Sequence, residues 1–287
     1  MHENVRMNIE TTFSDSLNVA ELVQIAGLVR FSYPCEGGFR RQFRSRSEQL
    51  ATLFSEQRME ERFKFFETLC LHGLKHQTAK DFTVGVLIGE DIPAVYRVRM
   101  EALLAGLPQA RLIALPVLPY QQAIRQAFVQ LFDQEKPFRM SFRLDDDDAV
   151  AVDFIEQVIT KLPQLTSLSG GLDPVGLSFL KGMTLSGPPD ARRLSPAVDA
   201  KPLGLGLCVM APQSSNRNAL LYAHVKMHMN MPMVTDPFPM MNLRSFHTSN
   251  DSVLRLPAGQ PIGMKTSEIR EVLWRRFALE MNAVLAL

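Results

Sequence analysis

The sequence predicts an α/β protein in which a mostly parallel sheet is flanked by helices and followed by a smaller half of mixed strands. Three observations predict it. Before residue 165, short apolar runs alternate with amphipathic stretches four times over, the pattern of strand–helix units in a parallel sheet. Right-handed crossovers bring all four strand ends to one edge, and polar clusters at 32–41, 89–91 and 145–148 fall there. From Ser167 to Leu207 the character changes: Gly, Pro and Ser become frequent and the apolar runs shorten.

Val23 to Phe31 is an apolar run ending in Ser32-Tyr33-Pro34, a buried strand entering a loop. Arg58 to Leu74 spaces Met59, Phe63, Phe66, Leu69 and Cys70 at helical intervals between charges. Phe82 to Ile88 is the second strand. Pro93 suits the first turn of a helix reaching about Leu107. Arg111 to Pro116 is the third strand, and Tyr120 to about Gln134 a helix with Ile124, Ala127, Phe128 and Leu131 on one face. Phe138 to Leu144 is the fourth strand, with Asp145–Asp148 at its carboxyl end and a helix from about Asp153 to Leu162 beyond. In the second half, Gly176–Leu180 and Leu205–Met210 read as strands, Asn216–Met227 as a helix and Met227–Met241 as a loop. Thr266 to Leu285 reads as a helix capped by Thr266, with a stripe of Ile269, Leu273, Phe277 and Met281.

The chain thus divides into a polar leader at 1–20, a first half at 21–165 and a second half at 166–287, within one continuous domain. Apolar residues make up 46% and charged residues 21%, as in globular proteins. A net charge of +1 gives no electrostatic case for a nucleic-acid partner. The three cysteines, Cys35, Cys70 and Cys208, have neither metal nor redox spacing and fit a reducing compartment. Met1 to Asp15 lacks the basic start and apolar core of a signal peptide, and no apolar run approaches 20 residues. A cytoplasmic location is expected, with peripheral membrane contact left open.

The chemistry centres on Asp145-Asp146-Asp147-Asp148. Four adjacent carboxylates repel one another unless a cation or hydrogen-bond donors offset them. The plain reading is a solvated acidic turn at the start of the next helix. The position argues for more: the run follows a buried strand at the ligand edge, Arg143 precedes it by two residues, and Asp145 and Asp147 form an Asp-x-Asp pair. Carboxylate oxygens suit Mg²⁺ or Mn²⁺, which keep waters and bridge to phosphate oxygens.

The segment Leu144–Asp148 after Phe138–Phe142 resembles the metal motif of GT-A glycosyltransferases. More narrowly, Arg30–Tyr33, Arg58–Phe63, Gln77–Phe82, Leu87–Gly89, Arg143–Val150 and His247–Ser252 together resemble a bacterial family of rhamnosyltransferases, over roughly residues 25–255. That resemblance implies a GT-A-like fold, with residues 21–165 binding a nucleoside diphosphate sugar and 166–287 the acceptor. It implies a Mn²⁺ or Mg²⁺ ion on Asp145 and Asp147, with His247 as a further ligand and Asp148 orienting sugar hydroxyls. His224 and His228 are weaker candidates. The base and ribose are expected at Phe31, Ser32 and Tyr33 and at Glu90 and Asp91, the latter pair reading equally as a helix N-cap. Arg125 and Arg143 are the candidates for the diphosphate, with a solvated helix face the favoured reading of Arg125. An inverting reaction needs a base, for which Asp236, Asp251 and Asp173 are candidates. The acceptor is a glycan, a lipid-linked group or a protein.

Gly37-Gly38 with Arg40 and Arg41 lacks the spacing of a phosphate-binding fingerprint and reads as a flexible loop. The basic cluster through Arg44 and Arg46 reads as a solvated face. The methionines from Met227 to Met241 read as packing residues. Two other functions use the same residues: a nucleotidyltransferase or other phosphotransfer enzyme, and a non-catalytic binding module.

Overall fold

The computed structural model describes residues 19–37, 43–133, 135–171, 173–247 and 259–287. The first half follows the hydrophobic pattern closely. Strands β1 (Val23–Arg30), β2 (Thr83–Gly89), β3 (Ala110–Leu115) and β4 (Phe138–Asp145) pair in parallel in the order β3-β2-β1-β4. Between them lie α1 (Arg46–Leu53), α2 (Glu56–Phe65), a π-helical segment (Phe66–Leu71), α3 (His72–Lys75), α4 (Ala94–Leu104) and α5 (Tyr120–Val129). The chain steps outward from β1 to β3 and then returns to the other side of β1. The crevice between the carboxyl ends of β1 and β4 is therefore the switch point at which open α/β sheets bind ligands. Arg30 and Asp145 are paired neighbours there.

The acidic turn after β4 leads into β5 (Ala149–Val150) and α6 (Phe154–Ser169). The second half extends the same sheet through β6 (Val175–Ser186), β7 (Arg193–Val198), β8 (Cys208–Pro212), β9 (Met233–Ser245) and β10 (Gln260–Pro261). β8 pairs antiparallel with β4, so one sheet crosses the boundary at 165. The 12-residue β6 pairs with β8 and β7 on one edge and with β9 on the other. β5 pairs with β9 at Ala149–Leu243, which fastens the end of the acidic turn to the end of β9. Helices α7 (Thr266–Phe277) and α8 (Met281–Leu285) close the chain.

Aromatic packing fills the space between sheet and helices. Phe142 on β4 stacks edge-on against Phe154, which stacks edge-on against Phe179. Gly27 on β1 is what lets Phe142 lie flat on the sheet: a Cβ there would fall 2.1 Å from the ring.

Several expectations are corrected. Met227–Met241 is mostly β9 rather than a loop. Asn216–Met227 is not a helix; a 3₁₀ turn at His224–Met229 is the helical part. The helix expected to end at Leu162 runs through Pro163 to Ser169, because Leu162, Leu165, Thr166 and Ser169 continue its buried stripe. The last helix breaks at Ala278, whose φ of 53° is left-handed, and its N-cap is Lys265 rather than Thr266. Helix α1 begins at Arg46, the last residue of the basic cluster, and covers a segment the sequence reading did not assign. Of the polar leader, residues 1–18 lie outside the described residues; Val19–Leu22 form a 3₁₀ turn. No helix among the described residues is long and apolar enough to cross a membrane.

Candidate functional site

The acidic turn is buried. Asp146, Asp147 and Asp148 are each less than 5% exposed, whereas Asp145 at the mouth keeps 40% of its side chain in solvent. Three buried carboxylates need compensation, and α2 supplies much of it. Arg62, 5% exposed, grips both oxygens of Asp146 and donates from Nη1 to Asp147 Oδ2 at 2.9 Å. Asp148 accepts the Ser245 backbone N–H at 2.8 Å, which ties the turn to the end of β9. Two residues on, His247 places Nε2 3.0 Å from Asp147 Oδ2. Its ring stacks on Phe65 of α2 with centroids 4.0 Å apart, and its Nδ1 faces Glu61 Oε1 at 3.5 Å.

The titration of the run follows from these contacts. Burial alone would raise Asp147, but Arg62 and the His247 hydrogen bond outweigh it and hold the carboxyl at about 2. Burial dominates at Asp146, which rises to about 6 against the pull of Arg62. Asp148 is pushed well above the usual carboxylate range by burial and then by Asp147 and Asp145. Of the three buried acids, Asp147 has its charge most strongly supported.

Arg143 on β4 reaches both oxygens of Asp145 at 3.3 Å, while its Nε is buried with no hydrogen-bond partner among the described residues. Its guanidinium lies against Gly204, where a Cβ would fall 3.1 Å from Arg143 Cζ and 3.3 Å from His224 Nδ1. The structure thus brings Asp145, Asp147, Asp148, Arg143 and His247 to one corner, with His224 beside Arg143.

Other candidates are placed elsewhere. Phe31 is fully buried against Phe63 and Phe66, and Tyr33 is buried with its hydroxyl on the Pro116 carbonyl at 2.6 Å. Burial pushes the Tyr33 phenol up to about 12. Both are core residues behind the crevice. Ser32 between them is held at a left-handed φ of 46° and accepts from Arg58 at 2.7 Å, a strained residue at the end of β1. Asp91 forms an exposed ion pair with Arg46 of α1, and Glu90 is exposed; the N-cap of α4 is Pro93, with no side-chain cap. Arg125 is exposed on α5 and lines a shallow groove with Arg139 and Arg217, away from the acidic turn. Asp236 is ion-paired to Lys161 at 2.7 Å. It pairs with Phe179, six β6 residues or roughly 20 Å from the β9 end. Asp173 is exposed beyond the C-terminus of α6. Asp251 and the loop from Gly38 to Arg41 lie outside the described residues.

Helix α2 carries what the sequence reading passed over. Arg58, Glu61, Arg62 and Phe65 lie at i, i+3, i+4 and i+7, one face of a helix. They reach, respectively, Ser32, His247, the aspartates and His247. A polar stripe beside the apolar stripe of Met59, Phe63 and Phe66 was the available signal.

A divalent ion can be tested against this geometry. Nε2 of His247 donates its proton to Asp147 Oδ2 at 3.0 Å, and a cation there would take that proton's place, with Nδ1 then carrying a proton toward Glu61. Carboxylate and imidazole together suit Mn²⁺. Among the described residues no group of three or more potential ligands is gathered for an ion. Asp147 and His247 are thus two candidate ligands, and an ion bound there would take the rest of its coordination from water and phosphate.

The fold and the site define an α/β protein that sets a buried acid–imidazole pair at the ligand edge of its sheet. The chain belongs to the family described as "Putative rhamnosyl transferase", whose model matches residues 24–259. The mixed α/β sheet agrees with the architecture that the GT-A resemblance implies. No curated protein matches the sequence. Among solved structures, the chain is similar to S. aureus TarS 1–349 in complex with UDP-GlcNAc (14% identity, TM-score 0.44, 79% of this chain) and spans 60% of that structure's length. It is also similar to a "putative nucleotide-diphospho-sugar transferase" from Desulfovibrio desulfuricans (12% identity, TM-score 0.37, 78% of this chain and 80% of the other). A third similar structure is 4-diphosphocytidyl-2C-methyl-D-erythritol synthase from Anaerococcus prevotii (7% identity, TM-score 0.35, 78% and 91%).

Proposed function

We propose that the protein moves a sugar from a nucleoside diphosphate sugar to an acceptor hydroxyl, with Asp147 and His247 holding a Mn²⁺ or Mg²⁺ ion and Asp145 at its mouth. The observation that carries this reading is the approach of Asp147 and His247, a hundred residues apart, at the end of β4. When bound, the ion would offset the charge of a leaving diphosphate. The chain's own groups do the rest. Arg62 keeps Asp147 ionised, and Glu61 and Phe65 hold the His247 ring in place. Arg143, whose buried Nε has no hydrogen-bond partner among the described residues, is the side chain this reading assigns to the phosphates. Ser32, at the end of β1, offers a backbone turn to the nucleoside. The family's description makes rhamnose the sugar to try first.

The test is a thermal-shift panel of UDP, GDP and dTDP and their sugars, with and without Mn²⁺, on wild type and Asp147→Ala. A bound ligand raises the melting temperature by linkage. Expected is a shift with one nucleoside diphosphate that needs Mn²⁺ and disappears in the variant. A shift that ignores Mn²⁺, or survives Asp147→Ala, sinks the reading. A preference for a nucleoside triphosphate with a sugar phosphate would favour nucleotidyl transfer instead.

A further inference from the structure

The turn between β6 and β7 brings an arginine to the same corner from the opposite side. Leu185 of β6 pairs with Ser245 of β9 and with Leu194 of β7, and the Phe246 N–H donates to the Leu185 carbonyl at 2.8 Å. In that register Arg192, just before β7, and His247, just after β9, flank the end of β6. The turn is tightly built. Gly187 has φ 103°, a Cβ there would fall 2.6 Å from the Ala191 carbonyl, and the Ala191 N–H donates to the Pro188 carbonyl at 2.9 Å.

Arg192 Cζ lies 5.3 Å from the centroid of Phe65, the ring that stacks on His247. Its Nε and Nη1 are buried with no hydrogen-bond partner among the described residues. Burial pulls its pKa down while the nearby Glu61 charge supports it. A guanidinium with unfilled donors, on a stiff turn and stacked on the ring that positions His247, is built to receive an oxyanion. In the sheet order β4 separates β1 from β6 and β7, so Arg192 comes from the side opposite the β1–β4 crevice that the reading above assigns to the nucleotide, and an oxyanion there would be the second substrate's.

We propose that Arg192 binds a phosphate group of the acceptor, so that the enzyme glycosylates a hydroxyl-bearing phosphate ester. The assignment rests on the transferase reading above for the word acceptor; the anion site itself does not.

The experiment is calorimetric titration of wild type, Arg192→Gln and Arg192→Lys with inorganic phosphate and with glycerol 3-phosphate, each alone and with UDP and Mn²⁺ present. Circular dichroism melts establish that each variant is folded. Expected is phosphate binding to wild type that falls about tenfold or more in Arg192→Gln and is partly kept in Arg192→Lys, with UDP affinity unchanged within about twofold. Glycerol 3-phosphate competes for the same site. No phosphate binding in wild type overturns the proposal, as does equal binding in Arg192→Gln. A matching loss of UDP affinity would move Arg192 to the donor, and refusal of the ester would remove the acceptor; either overturns it. If UDP with Mn²⁺ fails to bind wild type, the transferase reading fails while the arms without nucleotide still report on Arg192.

Discussion

Replacing Arg62 by methionine is the sharpest perturbation the structure offers, because one side chain compensates two buried carboxylates. Arg62 makes three hydrogen bonds to Asp146 and Asp147, and all three side chains are 6% exposed or less. Methionine keeps the volume and the helix but leaves Asp146 and Asp147 without their guanidinium. Removing one partner of a buried ion pair costs about 3–5 kcal/mol. At roughly 2–3 °C per kcal/mol for a chain of this size, the melting temperature should fall by roughly 6–15 °C. The assay is differential scanning calorimetry at pH 7.5, without divalent ions and then with Mn²⁺. The lost charge can be offset in two ways. Asp146→Asn in the Arg62→Met background should recover stability, with a coupling of about 1–3 kcal/mol. Mn²⁺ should raise the melting temperature of Arg62→Met more than that of wild type, since it supplies the missing positive charge beside Asp147. An Arg62→Met protein that melts within about 2 °C of wild type would refute the charge compensation, as would purely additive losses in the double variant.

Two further outcomes follow from other parts of the molecule. Gly27→Ala drives a methyl into the Phe142 ring, which is fully buried and held by Phe154, so stability should drop by about 1–3 kcal/mol in chemical denaturation and be partly restored by adding Phe142→Leu. His72 donates from Nε2 to the Ala278 carbonyl (2.9 Å) and stacks on His76; burial, then His76, lowers its pKa below the usual 6.5 despite that hydrogen bond. Its contribution is therefore complete above pH 6.5 and is lost as pH falls below it, so the melting temperature should decline from pH 7 to 5.5 and decline less in His72→Gln.

The parallel half of the fold was legible because β1 and β2 are buried on both faces and its helices are amphipathic, so composition separates them. The second half hid its structure for identifiable reasons. β9 contains Pro237 and Pro239, which donate no backbone hydrogen bond and make the segment look like loop. The sheet accommodates them with register shifts opposite Phe179–Gly182 of β6, which no local pattern announces. Asn216–Met227 has helical spacing, but Ser215 and Asn218 accept the backbone N–H groups of Arg217 and Leu220 and pull the chain into turns instead. The break at Ala278 comes from outside its helix. A left-handed alanine is tolerated because His72 holds its carbonyl, and Val152 and Asp153 engage Arg276 just before it.

The site shows the same division between local and distant causes. Asp145 and Asp147 were legible from an acidic run after a strand, and Asp147 and His247 were both named as ligands from the family resemblance. That they meet is a property of β9, whose last residue binds Asp148 and so delivers His247 onto Asp147. Arg62 was invisible to a reading centred on the run, because its partners lie 84 and 85 positions away. A different question would have found it. Four adjacent aspartates following a buried strand require a buried cation somewhere in the chain, and the nearest amphipathic helix whose polar stripe continues into its buried face is α2. The charge imbalance of a motif, carried through to the residue that must balance it, therefore points to a partner that spacing within the motif cannot.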